Sequence, residues 1–260
     1  MSRYVAALPM YDWPERTEEV DAQWATIRDR LRAAGVDAPE QLARCNGDIP
    51  AVPGGIRDRR GEVIAPDPAT LPSHEFHFPT LWRHPDLLFA QACWGPMELG
   101  LADDVQVVGQ PDYSGIEGGQ GEFYSSALVM RCGEAAPAPA DGCAAIPLAV
   151  LRGKRLAYNS LDSMSGIMAL TRDLAGMGEG LDTFSDRIES GGHRNSIIAV
   201  AESRADVAAV DCMSWALAQR FEPAARDLVV VGWTSRRKGL PYIASKRIPD
   251  IDPMRSAVRG

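Results

Sequence analysis

Two segments of this 260-residue chain each run from a short extended stretch into a helix start rich in hydroxyls and glycine, and they constrain the fold more than any other feature. The first reads Leu156-Ala157-Tyr158-Asn159-Ser160-Leu161-Asp162-Ser163-Met164-Ser165-Gly166, the second Ile188-Glu189-Ser190-Gly191-Gly192-His193-Arg194-Asn195. A helix start exposes backbone N–H groups that have no acceptor inside the helix, and the macrodipole adds partial positive charge there. Small residues and hydroxyls at that point make an anion cradle. Two such starts in successive strand–helix units can face one crevice. The expectation is an α/β fold with a site for a small oxyanion.

Strand and helix signals alternate along the rest of the chain. Tyr4 to Leu8 is a short apolar run ended by Pro9, and Thr17 to Ala34 then sets Val20, Trp24, Ile27 and Leu31 at helical spacing until Gly35 stops it. Residues 45 to 80 are rich in Gly, Pro and charge, with little periodicity, and read as an irregular excursion whose run Arg57-Asp58-Arg59-Arg60 is a solvated loop. Asp86 to Gln91 reads as a buried strand, Val105 to Val108 as another, and Phe123 to Arg131 as a longer one. A second series follows: extended Arg155 to Tyr158, helical Gly166 to Leu174, extended Asp186 to Glu189, helical Asn195 to Glu202, extended Asp206 to Asp211, a helix through Trp215, Leu217, Ala218 and Phe221, and a closing strand Leu228 to Val231. Alternation of this kind predicts parallel sheets, and two series separated by the long strand near residue 125 predict two lobes. Ligands of such sheets sit at the carboxyl ends of strands, which here supply Gln91, Tyr158, Asn159, His193 and Asp211.

Composition narrows the function. The length and the 45% hydrophobic and 24% charged content suit one large domain or two lobes of roughly 100 residues or more each. A formal charge of -8 argues against a nucleic-acid surface. No run approaches the ~20 apolar residues of a membrane span, so an integral membrane protein is not expected. The first ten residues lack the apolar core of a signal peptide, so the location is periplasmic if a leader is missing from this sequence and cytoplasmic otherwise. Cys132 and Cys143 bracket a Pro-rich loop that reads either as disulfide-closed or as carrying two thiols. Cys45, Cys93 and Cys212 have no metal-ligand spacing with His74, His77, His84 or His193, and His74-Glu75-Phe76-His77 lies in a loop-like stretch, so neither metal nor cofactor is expected. There is no phosphate loop of the Gly-Lys-Ser/Thr type and no nucleophile elbow, so no catalytic residue is assigned.

Three blocks, Asn159 through Gly166, Ser190 through Val200 and Ala205 through Asp211, resemble the phosphonate/phosphite/phosphate-binding proteins of ABC transporters, the PhnD-like group. Leu228 to Thr234 followed by Gly239-Leu240-Pro241-Tyr242-Ile243 resembles the late strand and return crossover of that family. The resemblance spans most of residues 80 to 245. It implies the two-lobed type II periplasmic-binding-protein fold, each lobe a mainly parallel sheet flanked by helices. Lobe 1 would comprise residues 1–122 and 241–260 and lobe 2 residues 123–240, with crossover strands near 123–131 and 238–244. The implied function is capture of a phosphonate-like or related small oxyanion in the interlobe cleft, for delivery to an ABC transporter permease.

Carried over one residue at a time, Ser163, Met164 and Ser165 match the family's Ser-Thr-Ser helix start, continued by Gly166, and His193 matches the histidine of its Gly-His start. Met164 departs from the pattern by replacing the middle hydroxyl, which leaves a backbone donor. Asp211 faces the expected cleft, although the carboxylate of aminophosphonate binders falls about two residues later, near Met213. Gln91 lies close to a family tyrosine, and Tyr11 supplies an aromatic group from the first lobe. Other readings stand beside these. Ser163 can simply cap its helix, Asp211 can satisfy donors in its own turn, and Trp94, Trp215 and Trp233 suit packing better than ligand contact. A helix start disfavours a permanent cation, which favours a functional reason for His193. The closing carboxyl-terminal helix of the family is short or missing. A cytoplasmic enzyme or sensor on the same fold, using His193 and Asp211 as general acid and base, is the alternative.

Overall fold

The computed structural model describes residues 2–139 and 142–259. The chain divides into two compact units, Met1–Gln110 with Leu240–Gly260, and Pro111–Gly239. In the first, the sheet order is Val5–Ala7, Leu87–Gln91, Tyr242–Ser245, Val105–Gly109. Tyr242–Ser245 is antiparallel to both neighbours while Val5–Ala7 and Leu87–Gln91 are parallel, so three of the four strands point one way. The helix Thr17–Ala33 buries Val20, Trp24, Ile27 and Leu31, the positions that the 3.6-residue period marks, and Gly35 ends it at a φ of +83°. Trp24 packs on Phe89, which stacks on Tyr242 with ring centroids 5.0 Å apart. A closing helix is present but short, Asp252–Arg259, and sends Met254 and Ala257 into the same core.

Residues 45–80 hold only short 3-10 turns and the two-stranded pair Ile56–Arg57 and Val63–Ala65, ahead of the helix Phe78–Arg83. Order comes from Asn46, which is buried: its N–H donates to Glu75 O, its Nδ2 to Pro72 O at 2.9 Å, and its Oδ1 accepts from His77 N at 2.8 Å. His77 Nδ1 pairs with Thr80 Oγ1 at 2.8 Å. Among the described residues no group of three or more His, Cys, Asp or Glu could hold a metal, and no helix is long and apolar enough to cross a membrane.

In the second unit the order is Leu228–Trp233, Ser126–Arg131, Val207–Asp211, Arg155–Tyr158, Asp186–Glu189. The last three are paired in parallel and Ser126–Arg131 is antiparallel to both neighbours, so four of the five strands share one direction. Leu128, Met130, Leu156, Leu170, Leu174 and Val207, all fully buried, form its core. Each such side chain contributes about 1.5–3 kcal/mol of burial. The one antiparallel strand of each sheet is the first strand of that sheet formed after the chain enters the second unit at Pro111 or re-enters the first at Leu240.

Three expectations are corrected. The units divide at Gln110/Pro111 and Gly239/Leu240, so residues 111–122 pack with the second unit and not the first. The reason is Tyr113, fully buried and stacked on Tyr124 with centroids 5.5 Å apart. The strand expected over Phe123 to Arg131 is broken at Ser125, whose N–H and Oγ both donate to Gly118 O, at 3.0 and 2.7 Å. Phe123–Tyr124 therefore pairs separately with Arg237–Lys238. The disulfide reading of Cys132 and Cys143 fails on register, although residues 140 and 141 of that loop lie outside the described residues. Cys132 N donates to Asp227 O, Ala138 N to Val230 O, and Ala145 exchanges two hydrogen bonds with Trp233, so the segment is laid along the strand. From Asp227 to Trp233 is about 20 Å at ~3.3 Å per residue, far beyond the reach of a disulfide. Both cysteines are exposed thiols.

Candidate functional site

The strand Arg155–Tyr158 ends at Asn159, and the chain turns through Ser160–Ser163 into a helical stretch made of a π turn, Met164–Met168, followed by Ala169–Gly176. Ser163 is the N-cap, with extended backbone and Oγ accepting from Gly166 N at 3.0 Å. Its carbonyl receives Ile167 N at 3.3 Å and Met168 N at 3.1 Å, and the second of these is the π bond. Such turns are rare and gather at functional sites. Met164 and Ser165 are 3% and 2% exposed.

The second entrance is tied to the first through the backbone. Ser190 N and Oγ both donate to Tyr158 O, at 2.8 and 3.0 Å, and Gly191 N donates to Asn159 O at 2.9 Å. The helix His193–Ala201 then starts after Gly192 with no side-chain cap.

His193, the first residue of that helix, closes the cluster. Its Nε2 lies 3.0 Å from Ser165 Oγ and 3.3 Å from Asp211 Oδ2. Asp211 is 2% exposed, ends the strand Val207–Asp211 and caps the helix Cys212–Phe221, its Oδ1 accepting from Ser214 N at 2.9 Å. A carboxylate only accepts, so the ring proton resides on Nε2. His193 Nδ1 is buried and has no hydrogen-bond partner. Burial pushes the imidazole below the ordinary histidine value of 6.5, against the opposing pull of the Asp211 charge. The ring is neutral at neutral pH, as its place at a helix start demands.

Ser165 and Asp211 meet the same ring nitrogen. A Ser–His–Asp relay places the acid on the nitrogen opposite the serine, so this trio cannot pass a proton from serine to acid through the ring. It can present a hydrogen-bond donor: with the one ring proton on Nε2, that nitrogen cannot accept from Ser165, and the serine hydrogen is released for a further acceptor.

The structure thus brings Ser163, Met164, Ser165, Gly166, His193 and Asp211 together in the second unit. The capping readings of Ser163 and Asp211 hold, and Asp211 contacts His193 as well. Gln91 and Tyr11 belong to the first unit. Gln91 ends its strand 3% exposed, its carbonyl accepting from Trp82 Nε1 at 3.0 Å. Tyr11 is 8% exposed, its carbonyl taken by Arg16 Nη1 at 3.0 Å. Trp215 and Trp233 are buried packing residues. Sequence reasoning missed one contributor, Ser126, and placed Asn159 at a strand end without its contact to Gly166. Ser126 Oγ donates to Ser165 O at 2.8 Å, which holds the first turn in place from the neighbouring strand. Asn159 places its carboxamide on Gly166, where a β carbon would overlap Asn159 Oδ1. The glycine inside a helix was the available signal for that contact.

A family model described as "ABC transporter, phosphonate, periplasmic substrate-binding protein" matches residues 97–259. No curated protein matches the chain. Among solved structures, PhnD1 from Prochlorococcus marinus (MIT 9301) in complex with methylphosphonate is similar with a TM-score of 0.60 and 15% identity, over 99% of this chain and 83% of that one. XAC2383 from Xanthomonas citri bound to ATP aligns with a TM-score of 0.58 and 15% identity, over 98% and 82%. A binding protein component of an ABC phosphonate transporter from Pseudomonas aeruginosa aligns with a TM-score of 0.56 and 16% identity, over 98% and 72%. Likeness at this identity shows the fold, the two-lobed type II binding-protein architecture.

Proposed function

This chain belongs to the family of periplasmic phosphonate substrate-binding proteins of ABC transporters, and from that premise we propose that its ligand is a small phosphonate-like oxyanion held at the paired helix entrances of the second unit. Proteins of this family bind solutes for transport and are not enzymes. The observation that carries the ligand reading is the Ser165 Oγ to His193 Nε2 contact at 3.0 Å, which joins the first turns of two helices into one donor array. The Ser165 hydroxyl is a neutral donor placed where two helix dipoles favour negative charge. Hydrogen bonds from neutral donors to an anion are roughly twice as strong as neutral pairs, and they add no buried cation. Methylphosphonate, the ligand of the Prochlorococcus protein, has the size and charge such an array accommodates. The loaded protein acts in the periplasm and hands its ligand to the permease of an ABC transporter.

The test is a thermal-shift and calorimetric titration of wild-type protein, Ser165→Ala and His193→Ala against methylphosphonate, phosphite, phosphate, sulfate and acetate. A ligand at 100 times its dissociation constant stabilises the folded state by about 2.7 kcal/mol. The expected result is a phosphorus oxyanion that binds wild-type protein and loses most of its affinity in both variants. No response to any phosphorus oxyanion would overturn the ligand assignment.

A further inference from the structure

Asn159 touches both helix entrances. Its carbonyl accepts from Gly191 N at 2.9 Å, at the start of the second, while its carboxamide lies against Gly166 in the first turn of the first. A β carbon on Gly166 would overlap Asn159 Oδ1, and would stand 2.9 Å from Asn159 Cγ and 3.0 Å from Ser163 Oγ. Gly166 is not among the glycines with positive φ, so no turn requires it. What requires it is the amide occupying the space of its side chain. The Gly166 Cα–H favours the oxygen of the amide on that side, because a weak C–H···O contact is attractive where an amino group would be repelled.

Asn159 Oδ1 is buried there without a hydrogen-bond partner. Buried polar atoms left unpaired are few in folded proteins and call for a reason. The reason offered by the geometry is orientation. With Oδ1 pinned on Gly166, Nδ2 is turned to the other side of the amide, and among the described residues no hydrogen bond holds it. Covalent geometry keeps Nδ2 within one amide group of the Ser163–Gly166 turn, where Ser163 Oγ is already spent on Gly166 N.

We propose that Asn159 is a further ligand-binding residue, its Nδ2 donating to an oxygen of the anion held at the Ser163–Gly166 turn. The inference rests on the oxyanion reading above and assigns the amide a role that capping and packing do not explain. Ser165 and His193 supply donors from one side of the paired entrances, and the amide supplies them from the end of the strand that precedes the first.

The experiment is a calorimetric titration of methylphosphonate into wild-type protein, Asn159→Ala, Asn159→Asp and Ser165→Ala, with the unfolding midpoint of each measured in parallel. Losing one hydrogen bond to a charged group lowers affinity about ten- to a hundredfold, which is the effect expected of Asn159→Ala. Asn159→Asp keeps the shape and keeps an oxygen on Gly166 but turns a carboxylate toward the anion. It is expected to bind more weakly than Asn159→Ala, whatever its unfolding midpoint. A merely structural asparagine would give the opposite order, with the isosteric aspartate closer to wild type. That order, or wild-type affinity in both Asn159 variants while Ser165→Ala loses binding, would overturn this inference alone. Absence of binding by wild-type protein would overturn the oxyanion reading together with it.

Discussion

Gly118→Ala is expected to destabilise the protein by about 2–5 kcal/mol, a value that follows from two separable causes. Gly118 adopts a φ of +84°, the left-handed region, where a β carbon costs an L-residue roughly 1–2 kcal/mol. Its missing side chain is also filled by Trp233: a β carbon would overlap Cζ3 and stand 2.8 Å from Cε3 of a ring that is fully buried. Forcing an atom into a close-packed site adds about 1–3 kcal/mol. Gly115 separates the two, because its φ is +79° and nothing lies within 4 Å of its added β carbon. Gly115→Ala should therefore carry only the backbone cost. Urea unfolding followed by tryptophan fluorescence reads the difference of about 1–3 kcal/mol, which at a slope of roughly 2–3 kcal/mol per molar amounts to about 0.3 to 1.5 molar in midpoint. A Gly118→Ala midpoint no lower than that of Gly115→Ala would refute the packing argument. The consequence reaches the site, since Gly118 O holds Ser125, and Ser125 O accepts from Cys212 N, the residue after Asp211. Methylphosphonate affinity should fall in Gly118→Ala and stay near wild type in Gly115→Ala.

Three further outcomes are expected. His84 is buried, with Nδ1 accepting from Asp86 N at 3.2 Å and Nε2 donating to Pro50 O at 3.1 Å, and burial holds its value below 6.5. As pH falls below about 6.5 the unfolded chain takes up this proton before the folded one does, so stability should decline from there down to the lower folded value, and less steeply in His84→Gln. A urea midpoint that rises on acidification between pH 7.5 and 5.5 would contradict this. Asp211→Ala should cost about 1–2 kcal/mol through loss of its cap on Ser214 N, whereas Asp211→Asn keeps an acceptor and should cost less; equal losses on urea unfolding would assign the effect to charge. In the native protein a thiol reagent should modify Cys132 and Cys143 quickly and leave Cys93 and Cys212 until unfolding, because the latter are buried and the Cys212 thiol is pushed up to about 12. Slow labelling of Cys132 and Cys143, by mass spectrometry, would speak against the loop register.

The local patterns were legible because each is written within one turn or one strand. The period of Val20, Trp24, Ile27 and Leu31 and the alternation from Arg155 to Asp211 needed no knowledge of distant partners. What was not legible depends on residues far apart in the chain. Strand direction is not encoded in an apolar run, so the antiparallel placement of Ser126–Arg131 and Tyr242–Ser245 could not be read from their composition. The break at Ser125 needs both Gly118 and a partner strand at Arg237–Lys238. The spacing of Cys132 and Cys143 suggested closure, yet the hydrogen bonds of Ala138 and Ala145 stretch that segment along a strand.

The site divides in the same way. Helix starts at Ser163 and His193 follow from the chemistry of capping and anion binding, which is local. Their convergence follows from adjacent parallel strands: Arg155–Tyr158 and Asp186–Glu189 pair in register, so the helices that leave their ends begin side by side and Ser165 meets His193 across 28 residues of sequence. Asp211 joins them because Val207–Asp211 pairs on the other side of Arg155–Tyr158 and ends at the same edge of the sheet. The cluster is therefore a property of strand order, and a substitution that shifts the register of Arg155–Tyr158 by one residue would turn Tyr158 to the other face and separate all three side chains at once. Gly166 and Asn159 make the same point at the scale of one contact, since neither residue type announces the other until the sheet edge places them together.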